Sequence, residues 1–239
     1  MMNIAHWLDA IYNLTQASKD FRKNVKFIHD YNRRGFETTA SSITFTLFLL
    51  GNHPEVQAKV QEEIDELFAD DTDRDVTIED TKKMQYLECV VKASMEARNT
   101  CALKIDICIL IRVFTVGSFP PVGEYTIPKG SAAVAGIYFI QRHPRFFDEP
   151  DKFMPERFLD TKEKCPFLYI PFSAGLRNCT GQKFADLEDK ILLAQIMRRF
   201  TVTSKLRMEE LQLSLEVVLK ATQGIEIQLH PRDKPPRPQ

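Results

Sequence analysis

An excess of charge of either sign is missing from this sequence: 33 acidic residues stand against 32 basic ones, for a formal net charge of −1. That balance gives no electrostatic reason to expect nucleic acid or an acidic surface as a partner. A cysteine framework is missing too. The five cysteines, Cys89, Cys101, Cys108, Cys165 and Cys179, are odd in number and scattered. They exclude a paired disulfide scaffold and point to a reducing compartment. The opening Met1–Leu14 carries Asp9 and has no basic flank ahead of an apolar core, so it is no secretory signal. The longest apolar run, Ile105–Phe119, is broken by Asp106 and Arg112 and is too short to cross a bilayer. The chain therefore reads as lacking a membrane anchor. Internal repeats are absent. What remains is 239 residues, 44% hydrophobic and 27% charged, enough for one sizeable globular domain.

Chemistry concentrates in Phe172-Ser-Ala-Gly-Leu-Arg-Asn-Cys-Thr-Gly-Gln182. Cys179 lies between Gly175 and Gly181, and Arg177 precedes it by two residues. A helical pattern follows over Lys183–Phe200: Phe184, Leu187, Ile191 and Ala194 recur every three or four residues, backed by Leu193, Ile196, Met197 and Phe200. A cysteine at the mouth of a helix has its thiolate stabilised by free N–H groups and the positive end of the dipole. The Arg177 cation adds to this, and such surroundings make a thiol a metal ligand or a nucleophile. The two glycines let the backbone approach a flat, bulky partner. A buried small residue or an idle thiol is the competing reading. A zinc site needs further ligands at short spacing, and Cys179 has none. A Cys/His hydrolase needs one particular histidine, and spacing does not single one out among the five.

The rest of the chain reads as alternating helical and strand patterns. Residues 3–31 form an amphipathic helix with Phe21, Val25, Ile28 and Tyr31 on one face. Arg34–Ser41 opens an apolar helix, Ile43–Leu50, that stops at Gly51. Thr38 and Thr39 beside Glu37 are poor helix formers, explained by back-bonding or a start-of-helix cap. Asn52 or His53 caps a second helix with Pro54 in its first turn and Val56, Val60, Ile64 and Leu67 as its buried stripe. Asp70–Asp75 is a solvated acidic turn. Thr77–Asp80 starts a helix with an acidic first turn, leading to Leu87, Val90 and Val91. Ile105–Ile109 and Ile111–Val116 fit strands. Tyr125–Gly130 is a turn before a strand over Ala132–Ile140. Leu211–Leu219 and Ile225–Leu229 alternate around Gln223-Gly224 as a hairpin, and the Pro-rich tail from Pro231 is disordered.

The cysteine stretch resembles the haem-binding signature of the cytochrome P-450 superfamily, Phe-x-x-Gly-x-Arg-x-Cys-x-Gly, complete at Phe172, Gly175, Arg177, Cys179 and Gly181. The wording elsewhere is most similar to the fatty-acid-hydroxylating fourth family. The resemblance implies a mainly α fold with small β-sheets (α+β), the C-terminal half of the cytochrome P-450 fold. It implies haem b with Cys179 as the axial thiolate of its iron, and Arg177 on a propionate. Phe172, Gly175 and Gly181 would shape the proximal pocket. The thiolate pushes electron density towards bound oxygen and favours O–O cleavage. Gly35, Glu37 and Thr38 resemble the family's oxygen-binding motif, in which the acid–alcohol pair handles oxygen and protons. The implied activity is insertion of one oxygen atom into a small lipophilic substrate. Electrons would come from NADPH through a reductase, or from cytochrome b5, at the cytosolic face of the endoplasmic reticulum membrane.

Three departures qualify that resemblance. Arg34 stands where the fourth family carries a glutamate able to bond haem covalently, so no such bond is possible. The family's Glu-x-x-Arg pair is replaced by Ala93 and Glu96. Glu96 is expected to be stranded at a cost of roughly 3–5 kcal/mol if buried. Arg157, in the Pro155-Glu-Arg-Phe158 element, is expected to be without its usual partners, and a loop arginine capping carbonyls suits it equally well. The match covers Asn32 to Arg232, with residues 1–31 a remnant of the substrate-roof region and 233–239 a tail. The chain accordingly reads as a truncated or alternatively spliced product, or a faulty gene model, of a longer enzyme.

Overall fold

The computed structural model describes residues 36–69, 74–101, 113–115, 124–125, 132–134, 137–159, 167–175, 178–215 and 219–232. The amphipathic pattern at 3–31, Gly35, the centre of the acidic turn and residues 233–239 lie outside them, while Pro231 and Arg232, expected to begin a disordered tail, are held at the end of the last strand. Helix α1 (Phe36–Asn52) grows from the Ile43–Leu50 run. Leu47, Phe48, Leu49 and Leu50 are all fully buried, so the C-terminal part of α1 is enclosed on every side, as a central helix must be. It continues through Gly51. A Cβ there would lie 2.7 Å from the Ser204 nitrogen, so only glycine lets the helix meet the strand Phe200–Ser204.

Helix α2 (Pro54–Leu67) begins with proline at its first position and His53 as N-cap, and buries Val56, Val60 and Ile64. Its Gln57 inserts between elements: the amide donates to Leu50 O and Val202 O, and its oxygen accepts from the Val202 N–H. Short α3 (Ile78–Thr81) starts with the expected Thr77 cap, closed reciprocally by Asp80. Arg74 forks onto both Asp80 oxygens at 2.6 and 2.9 Å and holds that carboxyl far below the usual range. The helix does not run on to Leu87. A turn intervenes, and α4 (Gln85–Cys101) restarts with Glu63 of α2 accepting the Tyr86 and Leu87 N–H groups.

Strand β1 (Val113–Thr115) falls inside the second β-branched run and pairs antiparallel with β2 (Ala132–Val134); 102–112, with the first run, lie outside the described residues. The long strand expected over Ala132–Ile140 is corrected. Ala132–Val134 are extended and Ile137–Ile140 form a helical turn, α5, with 135 and 136 outside the described residues; the sequence carries a glycine at 136, a residue of low strand propensity. A 3-10 turn, Pro155–Phe158, follows.

Helix α6 (Gln182–Arg199) feeds directly into β3 (Phe200–Ser204). The terminal hairpin is also corrected. Strand β4 (Leu213–Leu215) pairs with β5 (Leu219–Ala221), while β6 (Ile227–Pro231) pairs antiparallel with β3 instead. Arg232 locks that sheet to the end of α6. Its guanidinium forks onto Asp65 and donates to Met197 O. The main core lies where α1, α2, α4 and α6 meet, with Leu47, Val60, Leu87, Val90, Leu193 and Met197 all fully enclosed. A second cluster, Phe45, Phe48, Leu49, Ala97 and Leu211, lies on the other side of α1. The architecture is mainly helical with small two-stranded sheets.

Candidate functional site

The loop before α6 is built by backbone geometry. Ser173 N–H donates to Ile170 O at 3.0 Å, and Ser173 and Gly175 both take positive φ, 65° and 84°. At Gly175 a Cβ would have open space, so the demand for glycine there is conformational. Asn178 N–H returns to Gly175 O at 3.2 Å, and Cys179 N–H donates to Phe172 O at 2.9 Å. Phe172 packs its ring against the main core, so the cysteine backbone is tied to a residue the core itself fixes.

The Cys179 side chain is a free thiol, exposed to solvent. Gln182 N–H meets Cys179 O at 3.4 Å and Ala185 N–H meets Gly181 O at 2.9 Å, so the loop runs into α6 without a side-chain cap. A Cβ on Gly181 would stand 3.9 Å from the cysteine sulfur. Glycine there keeps one flank of the sulfur clear. Arg177 lies outside the described residues.

Glu37 and Thr38 fall in the first turn of α1. Thr38 is exposed, and the Glu37 side chain lies outside the described residues. The next turn of α1 crosses α6. Ser42 Oγ donates to Asp189 Oδ2 at 2.8 Å, and the Thr39 hydroxyl meets the Glu188 carboxyl. Burial raises the Glu188 pKa, with the Thr39 hydrogen bond opposing it. Glu188 lies about 9 Å along α6 from Gln182. The start of α1 and the cysteine loop are thus both referenced to the first turns of α6. The hydroxyl stripe Thr39, Ser42, Thr46 was not singled out from the sequence as facing α6 and α4. Its signal was the three- and four-residue spacing of small polar residues within an apolar run.

The expectation of a stranded Glu96 is overturned. Arg157 Nη1 donates to Glu96 Oε1 at 3.3 Å, with 8% and 3% of the two side chains exposed. The same guanidinium donates to Glu149 O and Lys152 O, so Arg157, without the family's usual pair, is held by Glu96 and by two loop carbonyls, as the carbonyl-capping alternative expected. Ala93, buried beside it, leaves no second acid to compete. The neighbouring Glu156 accepts from Lys59 at 2.6 Å and from the Tyr86 hydroxyl at 2.8 Å. Burial alone would raise its pKa, but those donors lower it. Glu156 and Arg157 together clamp the 3-10 turn onto α2 and α4. The sequence signal was simple charge complementarity between positions 96 and 157, hidden by their separation.

Among the described residues no cluster of three or more His, Cys, Asp or Glu could hold a metal ion, and no helix is long and apolar enough to cross a membrane. The site offers one sulfur. That donor set fits a prosthetic group whose metal takes a single protein ligand, approached over a surface that Gly181 leaves open. A helical core presenting one thiol on a glycine-hinged loop at the mouth of its longest described helix is compatible with a haem-thiolate protein. The chain belongs to the cytochrome P450 family: the family model "Cytochrome P450" matches residues 25–229. It is 38% identical over 234 residues to mouse "Cytochrome P450 4V2" and 40% identical over 235 residues to the human protein of that name, covering 95% of this chain and 42% of each relative. It is 38% identical over 221 residues to "Cytochrome P450 4c3" of Drosophila melanogaster, covering 91% of this chain and 39% of that protein. The chain therefore spans about two fifths of the length of the curated relatives it matches. The family implies a haem iron with thiolate ligation and electrons from a reductase or cytochrome b5.

Proposed function

We propose that this chain is the haem-holding portion of a monooxygenase that inserts one atom of O2 into a lipid-like or foreign substrate, with fatty-acid hydroxylation the favoured case. Haem iron backed by a thiolate supplies the oxygen-activating chemistry when bound. The chain's own residues do the holding. Cys179 offers the sulfur, Arg177 pairs with a propionate, and Phe172, Gly175 and Gly181 shape the loop that lets the flat group approach. Glu37 and Thr38 at the start of α1 position oxygen and pass protons to it. Electrons come from NADPH through a reductase, or from cytochrome b5, at the cytosolic face of the endoplasmic reticulum membrane. The observation that carries this reading is the exposed Cys179 thiol, its backbone tied at 2.9 Å to Phe172 O.

A second reading is a non-catalytic member that binds haem weakly or not at all. It draws support from Ala93 and Glu96 standing where the family carries its Glu-x-x-Arg pair. One experiment separates the two. The chain is purified with haem, reduced and exposed to CO, and its absorbance spectrum recorded. A thiolate-type red-shifted band that disappears in Cys179→Ala is the expected result. A histidine-type band, or no haem, favours the second reading. A band unchanged in Cys179→Ala removes the ligand assignment.

A further inference from the structure

Thr38 stands at the start of α1 and Cys179 at the mouth of α6, and both are exposed. Their separation depends on how α1 sits on α6. Thr38, Ser42 and Thr46 follow one another at four-residue spacing, so they share one side of α1. The two inner members are pinned to different helices. Ser42 Oγ donates to Asp189 Oδ2 of α6 at 2.8 Å, and Thr46 Oγ1 meets Ser94 Oγ of α4 at 2.8 Å. All four of these bonded residues are buried, Asp189 to 1% exposure and Ser42 to 6%.

The two pins hold different things. Just beyond Thr46, Leu47–Leu50 are fully buried, so that end of α1 keeps its place without the Ser94 bond. Ser42 is nearer the open end. Thr38 lies one turn, about 6 Å, N-terminal of it, and Gln182, where the cysteine loop enters α6, lies about 10 Å along that helix from Asp189. Thr39 adds a tie to Glu188, but that acid is only partly buried and can exchange the hydroxyl for water in place. Asp189 cannot. Without Ser42 its carboxyl loses a donor where water does not reach, a cost relieved only when the first turns of α1 lift from α6. We propose that Ser42 and Asp189 are positioning residues, whose bond fixes the separation of Thr38 from Cys179. The use of that separation rests on the monooxygenase reading; the separation itself is a property of the haem-free chain.

The test puts nitroxide labels on Cys179 and on Thr38→Cys in the haem-free full chain, with Cys101, Cys108 and Cys165 replaced by serine and the buried Cys89 kept. Electron paramagnetic resonance reads the separation, and urea unfolding ranks stability. Ser42→Ala is expected to lengthen the separation by about 1–2 Å, the size of a helix displacement at a packed interface, and to broaden its distribution. Asp189→Asn keeps an oxygen to accept the Ser42 proton and should stay native. Thr46→Val breaks the other pin, so it should lose stability with the separation unchanged. A separation indifferent to Ser42→Ala, or moved as far by Thr46→Val, overturns the proposal. With haem and CO bound, the infrared C–O stretch should shift in Ser42→Ala and not in Thr46→Val; a stretch unmoved while the labels shift removes the bearing on chemistry. Labels that follow the pattern in a chain that takes up no haem sink the monooxygenase reading and leave the pin. A thiolate-type band in a chain whose labels ignore Ser42→Ala does the reverse.

Discussion

Two regions bring a glutamate out of water, and they do it differently. At the α4 clamp, Glu96 is 3% exposed and faces the Arg157 guanidinium. At the α1–α6 crossing, Glu188 is partly buried and meets the Thr39 hydroxyl, with no charged group among the influences on its pKa. The first acid faces a cation, whereas burial of the second favours its protonated form, with the Thr39 hydroxyl opposing. The clamp fixes a structural turn one residue beyond Met95, which meets Tyr169 just ahead of the cysteine loop. The crossing lies within the first turns of α6 that the loop enters. Charge pairing holds the turn, while the crossing keeps an acid that can carry a proton.

Breaking the clamp is the harshest test of that contrast. Arg157→Ala leaves Glu96 buried without its cation and two carbonyls without their donor, and should cost about 3–5 kcal/mol in urea unfolding. Adding Glu96→Gln should recover part of this, because the uncompensated charge goes with it. If the double variant is no more stable than Arg157→Ala alone, the pair is not the source of the cost. At the crossing the loss is smaller. Ser42→Ala removes the 2.8 Å donor to Asp189 and should cost about 1–3 kcal/mol by the same measurement. A loss equal to that of Arg157→Ala would erase the distinction between the regions.

The same contrast marks what could be read from the sequence. The α2 stripe and the Thr77–Asp80 box were legible because both are local: period 3.6 and a three-residue cap bond need no knowledge of the rest of the chain. The cysteine loop was legible because its spacing is dense and specific. The Glu96–Arg157 pair was not, since 61 residues separate its members. Alternation identified Ile225–Leu229 as extended but could not name its partner. That choice is made by α6 delivering Phe200 beside it and by Arg232, whose N–H donates to Arg199 O at 2.9 Å. In 132–140 the apolar content reads as one strand, whereas Ala132–Val134 are extended and Ile137–Ile140 helical, because a short apolar run fits either period.

The gentlest test titrates the crossing. The Glu188 pKa is raised in the folded chain, so between its unfolded and folded values the native state holds more protons than the unfolded one. Stability should therefore fall as pH rises through that window, by an amount that partial solvent exposure keeps small. Glu188→Gln cannot ionise and should lose this slope. It should match the native chain below the unfolded carboxylate range and exceed it at neutral pH, in paired urea titrations across mildly acidic pH. If the slope survives in Glu188→Gln, the crossing does not hold an acid whose proton affinity is raised by folding, and it would differ from the clamp only in the size of its stability loss.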